Sequence, residues 1–200
     1  SLSFVGVIWT LMAVGLEAAS TDAVCQIAWA AVAWPGNALV PMAWCFFVFA
    51  YVGNGVRLKR RWTTGALVTL PAVALFAAAT NPWHNLVSAA ETAVPAGSDR
   101  VAYVHGPGFY VIIGVLYAFV FATLLRLGTA FFRAKRSAWP LLIVLVLVTL
   151  TPLFANTAYV GFGVKILGMD PTAFMFTLGV IAFTWLLVTN KTLDMACLLY

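Results

Sequence analysis

The stretch Gly106–Leu127, GPGFYVIIGVLYAFVFATLLRL, decides the fold. It carries one charge, Arg126, at its far end. Wound as a helix at about 1.5 Å per residue, it reaches roughly the ~30 Å depth of a bilayer's hydrocarbon core. Five further stretches read the same way: Leu2–Ala19, Ala23–Tyr51, Trp62–Ala79, Trp139–Thr157 and Thr172–Val188. Hydrophobic residues make up 64% of the 200-residue chain and charged residues 8%. A soluble domain of this size has too much surface to hide that share of apolar side chains. The expected fold is all-α, a polytopic transmembrane helical bundle with six helices in this chain, read as one domain over residues 1–200. The second stretch is too long for a simple crossing. Pro35, Gly36 and Pro41 interrupt it, so a kink or an interfacial start is expected there.

The loops between the spans set the direction. Arg57, Lys59, Arg60 and Arg61 lie between the second and third spans. Arg126, Arg133, Lys135 and Arg136 end the fourth span or come after it, and Lys191 comes after the sixth. These are 9 of the 11 basic residues, all on one side, which the positive-inside rule makes cytoplasmic. Arg100 and Lys165 fall on the other side with Glu17, Asp22, Glu91, Asp99 and Asp170. Trp62 and Trp139 each sit just after a basic loop, where an indole favours the headgroup level. The localisation expected is an inner cell membrane, multi-pass, with basic loops and C-terminus cytoplasmic. The net charge of +5 reads as contact with anionic lipid, and no nucleic-acid partner is expected. Ser1 opens directly into an apolar run without a basic leader, so no signal peptide is expected. The chain reads as a fragment, or as the ordered part of something longer.

Several features carry little chemistry. Cys25 and Cys45 are ~30 Å apart along one helix and cannot bridge, and Cys197 is on the reducing side. The sequon Asn190-Lys191-Thr192 is on the wrong side for glycosylation. Lys165 and Lys191 sit at span ends, so no lysine is at the depth a retinal Schiff base needs. There is no Gly-rich phosphate loop, nucleophile elbow or Cys-x-x-Cys. His84 and His105 lack close ligand spacing, and neither a metal nor another cofactor is expected.

Ionisable groups are nearly absent from the span centres. Polar side chains gather instead at the outer ends: Thr80, Asn81, Trp83, His84 and Asn85 after the third span, Tyr103 and His105 before the fourth, Asn156 and Tyr159 on the fifth, Asp170 before the sixth. That is the distribution of a shallow pocket opening outward. Thr149, Pro152, Asn156 and Tyr159 share one helical face. Pro152 frees a carbonyl one turn earlier, and Asn156 can stitch its helix to a neighbour. The stripe reads either as interhelical packing or as ligand contact. The candidate ligand-binding residues are Asn81, His84, Asn156, Tyr159 and Asp170, with Trp83, Tyr103 and Phe109 as apolar walls.

Five segments together carry a resemblance: VPMAWCFFVFAY (Val40–Tyr51), ATNPWHNLV (Ala79–Val87), HGPGFYV (His105–Val111), TPLFANTAYV (Thr151–Val160) and DPTAFMFTLG (Asp170–Gly179). In this order the chain resembles the seven-transmembrane input region at the N-terminus of prokaryotic histidine kinases and some diguanylate cyclases. The resemblance implies seven helices in the family, one of them ahead of Leu2–Ala19. It also implies a sensor or receptor domain, not an enzyme, acting in signal transduction through an attached cytoplasmic effector. The partners expected are the lipid bilayer, an external small-molecule or lipid ligand, and a second copy in a homodimer. The alternatives are a small transporter, for which Asn37, Thr69 and Thr149 are a thin polar path, and a structural or assembly subunit of a larger membrane complex.

Overall fold

The computed structural model describes residues 2–52, 60–96, 98–164, 166 and 171–189. Arg57, Lys59, Lys165, Asp170, Lys191, Cys197 and the sequon at Asn190 lie outside the described residues. Among the described residues there are seven helices in chain order: α1 Leu2–Ala19, α2 Ala23–Val52, α3 Arg60–Ala79, the single turn α4 Asn81–His84, α5 Pro107–Arg133, α6 Trp139–Phe162 and α7 Thr172–Thr189, with a 3-10 turn at Arg136–Ala138. Helices α1, α2, α3, α5 and α6 are each long and apolar enough to cross a bilayer. The sixth expected span is α7, whose apolar stretch runs Phe174–Trp185. The bundle is thus all-helical. The described residues hold no strand, only isolated bridges such as Ser88–His105 and Ala93–Ala102.

Two helices outrun their expected ends. Helix α5 continues past Leu127 to Arg133. Arg126, the first charge met, donates from Nη2 to the Val52 carbonyl at 3.3 Å and lies over the Phe49 ring. A guanidinium aimed at the last carbonyl of α2 satisfies an orphan acceptor, so it need not end the helix it belongs to. Helix α6 continues past Thr157 until Gly163, whose left-handed φ of 66° closes it with an N–H to the Tyr159 carbonyl.

The chain packs as two compact units, Ser1–Ala43 with Leu58–Phe119 and Trp44–Arg57 with Val120–Tyr200. In the first, α1 buries Ser3, Gly6, Val7, Thr10 and Ala13, the small residues of one face. A Cβ on Gly36 of α2 would run into Thr10 Oγ1 and come within 2.8 Å of the Gly6 carbonyl. Lipid offers no hydrophobic drive between helices, so close backbone contact of this kind supplies the attraction. Beside it the Trp9 indole donates to the Val32 carbonyl at 2.8 Å. Pro35, inside α2, lacks an N–H, so it leaves the Ala31 carbonyl, next to Val32, without its helical donor. A core of Ala38, Met42, Ala74 and Leu116 joins α2, α3 and α5.

The second unit is built on Trp44, Val48, Leu127, Leu142, Leu145 and Phe183. Trp44 stacks on Phe47 and meets Phe183 edge-on. Its indole N–H donates to buried Thr149 Oγ1 at 2.9 Å, and that hydroxyl donates to the Leu145 carbonyl at 2.7 Å. Pro152 leaves the Val148 carbonyl without its helical donor. Gly179 of α7 packs there, its would-be Cβ 3.1 Å from Val148 Cγ1.

Candidate functional site

Helix α3 ends in a back-bond, Thr80 Oγ1 donating to the Phe76 carbonyl at 2.7 Å. Since that hydroxyl's hydrogen is committed, it accepts from His84 Nε2, 3.0 Å away. His84 Nδ1 in turn accepts the Leu86 N–H at 3.0 Å. The network therefore assigns a neutral imidazole with its proton on Nε2. Asn85 closes α4 in the left-handed region at φ 51°, a conformation asparagine tolerates.

Asn81 organises the loop after α4. Its Oδ1 accepts the N–H groups of Val87 and Ser88 at 2.8 and 3.0 Å, and its Nδ2 donates to the Ser88 carbonyl at 2.8 Å. This holds Leu86 and Val87 against the start of α5. The Leu86 carbonyl accepts from Gly108 and Phe109 at 2.7 and 3.3 Å, and the Val87 carbonyl from Gly106 at 2.9 Å. A loop carbonyl thus serves as the amino-terminal cap of α5. A Cβ on Gly106 would strike the Leu86 carbonyl, and one on Gly108 would sit 3.0 Å from it. The segments ATNPWHNLV and HGPGFYV interlock here.

Residues 88–96 and 98–105 pair as the two arms of a hairpin, with Ala89 N–H to Val104 O at 2.7 Å and Ala102 N–H to Ala93 O at 2.9 Å. One side chain fastens it to the corner between α1 and α2. Gln26 is 2% exposed. Its Nε2 donates to the Ser20 and Asp99 carbonyls at 2.9 and 2.8 Å, and its Oε1 accepts the Val101 N–H at 2.9 Å. Tyr103 adds a second fastening, its hydroxyl 2.8 Å from Glu17 Oε1 and 3.3 Å from the Gln26 carbonyl. Beneath the hairpin, the buried Phe109 ring stacks on His105 at 3.8 Å and meets Trp34 edge-on at 5.7 Å.

Of the candidate residues, Asn81, His84, Tyr103 and Phe109 gather around this hairpin. Trp83 projects from α4 and is 85% exposed. Asn156 and Tyr159 belong to the second unit, where Asn156 Nδ2 donates to Thr172 Oγ1 at 3.2 Å and ties α6 to α7. Both are half-buried, and Asp170 lies outside the described residues. Asn37 and Thr69 of the thin polar path are exposed on α2 and α3, while Thr149 is bonded inside the second unit. Gln26 is the residue that sequence reasoning misses. Its one signal is composition: it is the sole glutamine of the chain, one turn after Asp22 in an apolar helix.

The family model described as the N-terminal 7TM region of histidine kinase matches residues 1–196. The chain belongs to that family. No curated protein and no solved structure matches it. As a 7TM input region the chain is a membrane-embedded sensor domain, a class distinct from the catalytic part of such kinases. Its motif residues have physical work within that region. Asn81, His84, Gly106 and Gly108 build the joint between the end of α3 and the start of α5.

Proposed function

We propose that this 7TM region senses an external small molecule, lipid or partner at the hairpin, and signals to a cytoplasmic effector such as a histidine kinase attached after α7. It works as a homodimer in the inner cell membrane, basic loops and C-terminus inside. The observation that carries this reading is the fastening of the hairpin. Tyr103 and Gln26 connect it to α1 and α2, Asn81 ties it to the turn that follows α3, and the Leu86 and Val87 carbonyls join it to the start of α5. A ligand that prefers one hairpin position then shifts the ends of four helices together. The shift in signalling can be no larger than the ligand's differential affinity for the two arrangements. Helices α2 and α5 each contribute to both units, and α7 is the last helix among the described residues. Trp83 and Phe109 are the further ligand contacts proposed beside the hairpin, and Asn156, Tyr159 and Asp170 are a separate candidate set from the sequence.

The test is a fusion of the chain to a histidine kinase reporter, with His84→Ala, Gln26→Leu and Asn156→Leu compared for kinase output. Output altered by His84→Ala or Gln26→Leu, with insertion and abundance retained, supports the reading. Unchanged output in all three variants, each inserted normally, overturns it. Solute uptake by the purified protein in liposomes would favour transport instead.

A further inference from the structure

Helices α5 and α6 are joined by a tight turn. Ala134 N–H bonds to the Ala130 carbonyl at 2.8 Å, Lys135 is extended, and a 3-10 turn closes with Ala138 N–H on the Lys135 carbonyl at 2.9 Å. Arg133, Lys135 and Arg136 are all exposed on it. Among the described residues of the second unit there is no carboxylate, so no described side chain of that unit offers them a counter-charge. Two aromatic residues bracket the turn. Phe132 is 93% exposed and Trp139 42% exposed, the latter braced edge-on against Phe131 at 6.2 Å.

Both α5 and α6 are long enough to span, so their shared turn lies where hydrocarbon gives way to headgroups. An exposed phenylalanine belongs on the acyl side of that boundary and an indole at it. These two rings therefore fix the depth of the three cations at the level of lipid phosphate. Arg126 differs. Its guanidinium is committed to the Val52 carbonyl and the Phe49 ring, inside the protein.

We infer that the α5–α6 turn is a discrete binding site for an anionic phospholipid, with Arg133, Lys135 and Arg136 on the headgroup phosphate and Phe132 and Trp139 against its acyl chains. A basic loop in general gathers anionic lipid diffusely. Here three cations within four positions are held on a short closed turn between aromatic anchors, which sets one headgroup's position.

The full chain in neutral detergent would be titrated with dioleoyl-phosphatidylglycerol and with dioleoyl-phosphatidylcholine, and bound lipid counted by native mass spectrometry. The wild-type protein should hold phosphatidylglycerol in preference. The R133Q/K135Q/R136Q variant should lose roughly 30- to 100-fold of that preference, while R61Q/R100Q changes it less than about twofold. Retained preference in the triple variant, or equal loss in the control, overturns the site. Should the triple variant fail to fold, the wild-type protein still decides: a preference that does not fall when salt is raised to about 0.5 M overturns it. Displacement of the lipid by inorganic phosphate at matched concentration would overturn the assignment to lipid.

Discussion

The indole N–H of Trp44 and the hydroxyl of Thr149 meet at 2.9 Å inside the second unit, joining α2 to α6 across 105 residues of chain. Thr149 passes the bond on to the Leu145 carbonyl of its own helix. An unpaired indole N–H there has no water to turn to.

Trp44→Phe and Thr149→Val should each destabilise the second unit, with a double-mutant coupling of about 0.6 kcal/mol and no more than ~1.7 kcal/mol. Thr151→Val, whose exposed hydroxyl bonds to the Leu147 carbonyl of its own helix, should change stability by less than about 0.5 kcal/mol. Reversible unfolding in mixed micelles measures all three. A coupling of zero would mean the bond contributes nothing.

Gly106→Ala should cost about 1–3 kcal/mol, because the new methyl group meets a carbonyl rather than a flexible side chain. Gly114→Ala is the matched control. No atom lies within 4 Å of its would-be Cβ, and removing a helix-interior glycine should gain about 0.5–1 kcal/mol. Thermal unfolding of the two variants should move in opposite directions.

Asn81→Ala removes three hydrogen bonds and should cost about 2–3 kcal/mol. Asn81→Asp keeps the acceptor for Val87 and Ser88 and loses the donor to Ser88, so it should fall between. Hydrogen exchange at the Val87 and Ser88 amides reads the difference directly. Equal protection in all three proteins would remove Asn81 from the joint.

Gln26→Leu leaves the buried Val101 N–H and two carbonyls without this partner. The Val101 amide should exchange about 10- to 100-fold faster, at ~1–3 kcal/mol per unsatisfied group, while amides in the middle of α6 stay as protected as before. Slow exchange at Val101 in the variant would show that Tyr103 and Glu17 hold the hairpin alone.

Much of the bundle is legible in the sequence because lipid simplifies the code. Long apolar runs have to be helices, and Leu2–Ala19 and the start of α2 at Ala23 coincide with the expected bounds. The ends of α5 and α6 do not, because apolar sequence and backbone bonding both run on past Arg126 and Thr157. What ends α6 is Gly163, and the charge inside α5, Arg126, is met by a carbonyl at Val52, far away in sequence. Asn156 is expected to stitch helices, and it does reach Thr172. The carbonyl freed by Pro152 is legible, but its neighbour Gly179 is not, since periodicity within one helix says nothing of which residue faces it from another. Gln26 escapes for the same reason. Its three partners are backbone groups, which leave no trace in side-chain pattern.

Helix α5 begins where a carbonyl from residue 86 allows it to begin. Its first turn is met by loop backbone, so the helix borrows its starting point from another segment. Tugging that loop by an ångström would not merely tilt a rod. It would unwind or wind the rod's first turn, converting displacement at the surface into a change of helical length inside the bilayer.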